Sequence, residues 1–315
     1  MTSTPIYHAA FQNWILQPRP RIATATEFGN PSAFWVEYPS GLVDLTRSAH
    51  LPLAAAAHAD ASTPADPVHE DPAPPPPLAE ETQFELPVDG DRTLRLNRAT
   101  TALVVVDMQN YFLHPDLREH PTGLDCVIPL MNAVPALRAL GVKILWVNWG
   151  LTDHELTTLP PALVRGFMRN GKGGFGAPLP PPFGRLLMRG SYNAQLYGPL
   201  QHLYEEGASR GTDAWVHKNR MSALWGPQTA LDLLLQESGI TSLLIAGVNA
   251  DQCVLGTLVD AYYRGYDVVV LKDCIATTSP VGGLENVLYN SANSYGFVTD
   301  SVKVKEAARE HAGHH

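Results

Sequence analysis

The chain has 315 residues, of which 45% are hydrophobic and 17% are charged, values typical of a globular protein with a sizeable buried core. Its formal net charge of −9, with no run of lysines or arginines, argues against a nucleic acid or an anionic membrane as its partner. Its apolar stretches are too short to cross a bilayer, no basic leader precedes them, and three cysteines are too few for a disulfide framework, so we expect a soluble cytoplasmic protein.

The composition divides the chain into an arm, a linker and a main domain. Residues 51–80 hold 17 alanines and prolines in 30 positions, which is typical of a flexible linker, and we place that linker at residues 51–94. Residues 1–50 carry several aromatic residues and are too short to sustain a core alone, so they are predicted to pack as an arm on the main domain or on a neighbouring subunit. The main domain is placed at residues 95–310, with a tail at 311–315.

The main domain alternates apolar runs with helical patterns. The runs are TALVVVD (101–107), VKILWVN (142–148), DAWVHK (213–218), SLLIAGV (242–248), YDVVVLKD (266–273) and FVTDSVKV near residue 300. Helical spacing over 126–140, 228–238 and 253–264 ends at Gly141, Gly239 and Gly265, where a left-handed cap is needed. The alternation predicts a three-layer α/β/α sandwich with a mostly parallel, about six-stranded, Rossmann-like sheet. The Pro- and Gly-rich residues 150–210 are predicted to be an insertion that could act as a lid.

Three polar residues follow strands of this predicted sheet. Asp107 ends VVVD, Lys218 ends WVHK, and Cys253 opens the helix after LLIAGV. Each alone has a structural explanation, as a helix cap, a solvated charge or a small buried hydrophobic residue. Together they occupy the carboxyl edge of one sheet, where ligands bind in open parallel sheets. There Lys218 and the helix N-terminus are predicted to lower the thiol pKa of Cys253 toward neutrality, while Asp107 carries its proton. Cys274, also at a strand end, is the second choice for a reactive thiol.

The turn GVNADQC before Cys253 is predicted to form an oxyanion hole. A tight strand-to-helix turn exposes successive backbone N–H groups toward its ligand. The N–H of Cys253 and an amide near Asn249 are the candidates.

Three segments resemble the signature blocks of the isochorismatase-like cysteine hydrolases. They are VVVDMQNYF (104–112), HKNRMSALWGP (217–227) and AGVNADQCVLGTLVDAYYRGYDVVVLKDC (246–274), and the resemblance covers roughly residues 98–305. It implies that Asp107, Lys218 and Cys253 form a catalytic triad. It also implies a non-proline cis peptide bond between Val248 and Asn249. The oxyanion turn departs from the family pattern in carrying Asn249, Ala250 and Asp251.

The resemblance implies a hydrolase, and departures from the family narrow the expected activity. Family members hydrolyse nicotinamide, N-carbamoyl compounds, ureides, biuret-type amides or isochorismate, and are commonly dimers or tetramers. The stretch VNWGLTDHELT lacks the metal-binding pattern of nicotinamidases, so we expect no metal, no cofactor and no nicotinamidase activity. The cysteine favours metal-independent cleavage of a C–N bond in a small amide, ureide or imide through an acyl-enzyme. The alternatives are an isochorismate-type vinyl-ether hydrolase and a catalytically idle binding or assembly protein.

Position along the chain suggests which residues contact the substrate. The candidates follow the first three strands: Gln109, Asn110, Phe112, Asn148, Trp149, Leu224 and Trp225. Core packing is an equally good explanation for Phe112 and Trp225. If the tryptophans line the site, a flat substrate is favoured. The expected partners are a small-molecule substrate and further copies of the chain, as a homo-oligomer.

Overall fold

The computed structural model describes residues 19–51, 74–168 and 173–313. Its main sheet contains β6 (Thr101–Val106), β7 (Lys143–Trp149), β8 (Asp213–Lys218), β9 (Ser242–Val248), β10 (Asp267–Ala276) and β11 (Phe297–Thr299). The order across the sheet is β11-β10-β9-β6-β7-β8, and every neighbouring pair is parallel. All six strands occur where the apolar runs predict them, which confirms the predicted parallel sheet.

Helices connect these strands and cover the sheet. In the described part of the chain they are α1 (Asn110–Leu113), α2 (Pro121–Asp125), α3 (Val127–Ala139), α4 (Asp153–Leu156), α5 (Pro161–Met168), α6 (Pro199–Arg210), α7 (Ala230–Glu237), α8 (Leu255–Tyr263), α9 (Gly283–Asn290) and α10 (Ser301–Gly313). Helix α3 packs on α10 and β7, α6 and α7 pack on β8, and α8 packs on β10. The predicted α/β/α architecture is therefore confirmed. Within the described ranges, no helix is long and apolar enough to cross a membrane.

The burial of the strands explains why continuous apolar runs form this sheet. Every residue of the central strands β6 and β9 is buried, whereas the edge strand β8 alternates between buried and partly exposed positions. A strand covered by helices on both faces needs apolar side chains at successive positions, not at every second one. The predicted caps are present as well: Gly141, Gly239 and Gly265 have φ values of 76°, 62° and 86°.

The sixth strand is shorter than its apolar run suggests. Strand β11 ends at Thr299, and α10 begins two residues later. The side chain of Asp300 accepts a hydrogen bond from the N–H of Lys303, which satisfies a donor in the first turn of that helix. The residues SVKV are therefore helical, so Val304 is buried in the core whereas Val302 is exposed.

A second sheet was not predicted from the sequence. It contains β1 (Thr26–Asn30), β2 (Ala33–Glu37), β3 (Leu42–Asp44), β4 (Gln83–Val88) and β5 (Arg92–Asn97), in the order β1-β2-β3-β5-β4. Residues 83–97 lie mostly in the predicted linker, so its C-terminal limit at residue 94 is wrong. Leu86, Leu94 and Leu96 are fully buried, and Pro87 is tolerated because β4 is an edge strand. Residues 1–18 and 52–73 of the predicted arm and linker lie outside the described residues.

Asp267 joins the two sheets. This residue begins β10 and is buried, and its carboxylate accepts hydrogen bonds from Arg47 at 2.7 and 2.8 Å and from the indole of Trp35 at 2.6 Å. The hydroxyl of Ser242 donates a further bond at 2.6 Å. Residues 35 and 47 belong to the N-terminal part, so a buried ion pair fastens this part to the main domain.

We expect Asp267→Ala to lower the free energy of unfolding by about 3–5 kcal/mol, because it leaves the Arg47 guanidinium buried without a counter-charge. Urea unfolding followed by circular dichroism measures this change. The matched control is Asp153→Ala, whose ion pair with Arg185 is exposed and should contribute less than about 1 kcal/mol. Equal effects of the two substitutions would contradict the assigned role of Asp267.

Candidate active site

Asp107 lies directly after β6 in a strained backbone conformation. Its φ is 54°, in the left-handed region that non-glycine residues seldom occupy. The backbone of β6 lies close to Gly247 on the neighbouring strand β9. Only glycine fits at this position, because a Cβ there would lie 2.0 Å from the carbonyl oxygen of Val106. The carboxylate of Asp107 is fully buried, and its Oδ1 accepts the backbone N–H of Trp149 at 3.3 Å. The backbone thus holds this carboxylate at the carboxyl edge of the sheet.

Lys218 ends β8 and forms an ion pair with Asp107. The distance between Lys218 Nζ and Asp107 Oδ2 is 2.9 Å, and both side chains are almost completely buried. The ammonium also donates to the backbone carbonyl oxygens of Arg220 at 3.1 Å and Met221 at 3.2 Å. The ring centroid of Trp149 lies 3.8 Å from Nζ, a favourable position for a cation. Three acceptors and one aromatic face fix the ammonium in place.

Cys253 lies in a single π-helical turn, Ala250–Val254, which leads into α8. The peptide bond between Val248 and Asn249, which joins β9 to this turn, is cis. Cys253 is 4% exposed and lines the large cavity described below. Its thiol donates to Met221 Sδ at 3.7 Å, and both the Asp107 carboxylate and the Lys218 ammonium act on its pKa. The structure therefore brings together the three residues that the sequence placed at strand ends.

The pKa of the Cys253 thiol is higher than the sequence predicted. The pKa of Cys253 is raised to about 12, mainly by burial and in part by the Asp107 carboxylate, and Lys218 only partly opposes these effects. The expectation that Lys218 and the helix N-terminus lower this pKa toward neutrality is therefore wrong for the free site. Burial also raises the pKa of Asp107, against the opposing effect of Lys218. Both groups thus hold a proton more tightly than they would in water.

The candidate site opens into a cavity of about 1130 Å³. Its walls come from the segment 111–118, the helix α5, the loop after β8, the turn 249–253 and the loop 278–280. The aromatic residues Tyr111, Phe112, Phe167 and Trp225 contribute to these walls. Because α5 belongs to the predicted insertion, part of that insertion covers the site. A cavity of this size with aromatic walls is suited to a small organic molecule.

The structure places only two of the predicted substrate contacts in this cavity. Phe112 and Trp225 line it, whereas Gln109, Asn110, Asn148, Trp149 and Leu224 are buried behind it. The amide of Gln109 donates to the carbonyl oxygens of Trp149 and Ala194, which ties α1 to neighbouring segments. The ring of Trp149 packs against the ammonium of Lys218. The position of a residue just after a strand therefore predicted that it lies near the site, but did not predict whether its side chain reaches the cavity.

His120 was not predicted from the sequence as a site residue, yet its side chain is hydrogen-bonded to the turn that precedes Cys253. Its Nδ1 accepts the N–H of Gly123 at 2.9 Å, so Nε2 carries the proton and donates to Asn249 Oδ1 at 2.7 Å. Burial lowers the pKa of His120 and keeps the ring neutral. This bond fixes the Asn249 amide, which lines the cavity beside the thiol.

The other two cysteines are poor candidates for a reactive thiol. Cys126 and Cys274 are 2% and 0% exposed, and neither lines the cavity. Burial raises the pKa of Cys126 to about 12 and that of Cys274 well above its usual value. Cys253 is raised as well, but it alone of the three has the Asp107 and Lys218 partners and faces the cavity.

The described part of the chain offers no set of side chains suited to a metal ion. Within residues 19–51, 74–168 and 173–313, no group of three His, Cys, Asp or Glu side chains could hold a metal ion. Asp153, the acidic residue nearest in sequence to the position expected of a metal ligand, forms an exposed ion pair with Arg185 at 2.8 Å.

This parallel sheet, with a thiol, a carboxylate and an ammonium buried at its carboxyl edge, defines a hydrolase of the α/β class. A family model described as the isochorismatase domain matches residues 101–303, and the chain belongs to this family. The match begins at β6 and ends within α10, so it includes the whole main sheet but not the second sheet.

Solved structures agree with this assignment. A cysteine hydrolase from Pseudomonas syringae pv. phaseolicola 1448A is similar in fold, with a TM-score of 0.54 and 21% identity over 69% of this chain and 95% of that one. An isochorismatase family protein from Desulfovibrio vulgaris has a TM-score of 0.52 and 25% identity over 66% and 97%. A nicotinamidase from Bacillus subtilis has a TM-score of 0.50 and 25% identity over 64% and 99%.

Proposed function

We propose that this protein is a metal-independent cysteine hydrolase that cleaves a C–N bond of a small amide, ureide or imide. In this proposal Cys253 forms the acyl-enzyme, Asp107 transfers the proton, and Lys218 stabilises the charges of both. The observation that carries it is the buried contact of Lys218 with Asp107 at the floor of a cavity that Cys253 lines. The nicotinamidase among the structural neighbours supports an amide as the class of substrate.

The first step follows from the charges of the site. Asp107 and Lys218 together are neutral, so release of the thiol proton to solvent would leave a net negative charge in a buried site, which is costly. Transfer of the same proton from Cys253 to Asp107 leaves the net charge unchanged. The raised pKa of Asp107 makes its carboxylate the better acceptor. The thiolate then forms beside the Lys218 ammonium and attacks the carbonyl carbon of the substrate.

The remaining steps return the proton and release the products. Attack gives a tetrahedral intermediate whose oxyanion would accept the N–H of Cys253 and an amide near Asn249. The protonated Asp107 gives its proton to the leaving nitrogen, the C–N bond breaks, and a thioester remains on Cys253. Water then loses a proton to Asp107 and attacks the thioester, and the C–S bond breaks to free the acid. Asp107 returns the proton to the sulfur, which restores the thiol and the carboxylate.

The contacts around Cys253 favour carbonyl attack over the vinyl-ether hydrolysis of isochorismate. A vinyl ether is protonated at carbon and needs no nucleophilic sulfur, whereas here the thiol lines the cavity and the proposed general base, Asp107, acts on its pKa. The same contacts argue against an idle assembly protein, because a buried charged pair at a cavity floor is costly to retain without a use.

A panel of primary amides, ureides and cyclic imides, assayed by ammonia release, tests the proposed reaction. We expect hydrolysis of at least one class, with kcat/KM unchanged within about twofold after exhaustive treatment with EDTA, since the described residues supply no metal-binding group. The control is the same protein supplied again with Zn²⁺ or Mn²⁺. Complete loss on chelation and recovery with a metal would contradict the metal-independent mechanism.

A further inference from the structure

The cavity is positively charged although the protein as a whole is acidic. Two arginines, Arg118 and Arg220, line it, and no aspartate or glutamate is found among the described residues of its walls. Asp107 is not among the residues that line the cavity, and its negative charge is balanced by the ion pair with Lys218. In a chain of net charge −9, a cavity with two unmatched guanidinium groups differs from the rest of the molecule.

Arg118 has no carboxylate partner within the described ranges. Its Nη2 donates to the hydroxyl of Thr278 at 2.9 Å, and its guanidinium lies 5.9 Å from the ring of Phe112. The ionisable groups whose charges act on it are the phenol of Tyr111 and the thiol of Cys253. Five other partly buried or buried arginines are paired with carboxylates, namely Arg47, Arg92, Arg95, Arg138 and Arg264. Arg98 instead contacts His311 and the carbonyl oxygen of Gln83, away from the cavity. Arg118 thus presents donors to the cavity, close to the reacting sulfur.

Arg220 adds positive charge but has fewer donors to offer. Its guanidinium donates to the backbone carbonyl oxygens of Asn219 at 2.7 Å and Thr158 at 2.8 Å, and lies 4.8 Å from the ring of Trp225. These contacts hold it on the wall as a fixed charge. Of the two arginines, Arg118 is therefore the one that can form a bidentate pair with a ligand.

We propose that the substrate is an anion: an amide or ureide that carries a carboxylate, held by Arg118, on a flat body that contacts Phe112. This inference rests on the proposed function, because it names the substrate class of the same site. A planar carboxylate matches the two parallel N–H groups of a guanidinium, and the aromatic walls accommodate an unsaturated or aromatic body between the carboxylate and the scissile bond.

The first test does not require a known substrate. Cys253 is alkylated with iodoacetate or with iodoacetamide, which differ in charge, and each rate is divided by the rate for N-acetylcysteine under the same conditions. We expect the normalised preference for iodoacetate to be about tenfold in the wild-type protein and to disappear in Arg118→Met, since one charge-assisted contact corresponds to roughly this factor. A preference at or below unity in the wild type, or one that survives in Arg118→Met, overturns the proposal.

Matched variants keep this test interpretable. The control is Arg210→Met, which removes an exposed arginine paired with Glu206 on α6 and should leave the preference intact. The iodoacetamide rate of Arg118→Met should remain near that of the wild type, which shows that the fold and the thiol are preserved. If that variant fails to fold, Arg118→Gln provides the same comparison with a polar side chain. A preference that disappears equally in Arg210→Met would overturn the assignment to Arg118.

The second test compares 4-carbamoylbenzoate with benzamide and terephthalamide by ammonia release. We expect kcat/KM to be about 10- to 100-fold higher for the carboxylate, and Arg118→Met to reduce that advantage to about threefold or less. Hydrolysis of all three amides at similar rates would overturn the anion proposal and leave the proposed function intact. A preference for iodoacetate without hydrolysis of any amide would support the anion site and contradict the proposed function.

Discussion

Replacing Cys253 with alanine should lower kcat/KM for amide hydrolysis by about 10⁴-fold or more, because it removes the sulfur on which the acyl intermediate forms. Asp107 and Lys218 would remain in place, so substrate binding should persist. Initial rates of ammonia release at saturating and limiting substrate measure the change. Circular dichroism and the urea midpoint of the variant verify that its fold is unchanged.

Cys126→Ala is the matched control for this substitution. It removes a buried thiol of similar pKa that does not line the cavity, and its activity should stay within about threefold of the wild type. A Cys253→Ala protein that keeps most of its activity would contradict the acyl-enzyme. It would instead favour the isochorismate-type reaction, which needs no thiol.

Asp107→Asn is expected to lower kcat by about 10²–10⁴-fold, the usual contribution of a general acid and base. Asparagine has the same shape but cannot take the thiol proton or return it to the leaving nitrogen. The substitution should therefore change kcat more than KM. Ammonia release over a range of substrate concentrations separates the two parameters, and equal changes in a variant with normal stability would indicate a binding role instead.

The pH dependence of Cys253 alkylation by iodoacetamide provides a second measurement on this variant. In the wild type the proton moves within the site, so the rate should be nearly constant above the raised pKa of Asp107 and should fall below it, where the carboxyl is already protonated. In Asp107→Asn the thiol must lose its proton to solvent. Because burial raises the pKa of this thiol, the rate should then increase about tenfold per pH unit through neutrality. The same rising profile in both proteins would contradict internal proton transfer.

The sequence predicts the position of the three reactive residues because the sheet is parallel. Each of Asp107, Lys218 and Cys253 follows an apolar run, and parallel strands bring their carboxyl ends to one edge. The pKa of the thiol could not be obtained in this way. A neighbouring cation can be inferred from strand order, but the burial that outweighs it depends on the packing of the whole cavity floor.

Arg118 and His120 show what such a pattern leaves out. Both lie in the connection between α1 and α2, which has no apolar periodicity, and their side chains reach the site through local turns. His120 caps α2 and donates to Asn249, which is distant in sequence. Only the assembled fold reveals that Arg118 lines the cavity and that no carboxylate of the described residues pairs with it.

The second sheet was missed for a different reason. Its strands β4 and β5 follow a segment rich in proline and alanine, and composition alone extended the linker over them. The period-two pattern in residues 83–97, with buried Phe84, Leu86, Leu94 and Leu96, is the signal that predicts them. A short window of alternating residues is more informative there than the average composition.

Trapping of the acyl-enzyme tests the central claim most directly. A hydrolysed amide is mixed with the enzyme, quenched in acid within milliseconds to seconds, and the digested protein is examined by mass spectrometry. The account predicts an adduct with the mass of the acyl group on the peptide that contains Cys253, labile to hydroxylamine as a thioester, and absent from Cys253→Ala. Single-turnover hydrolysis with no adduct on Cys253, or with the acyl group on another residue, would contradict it.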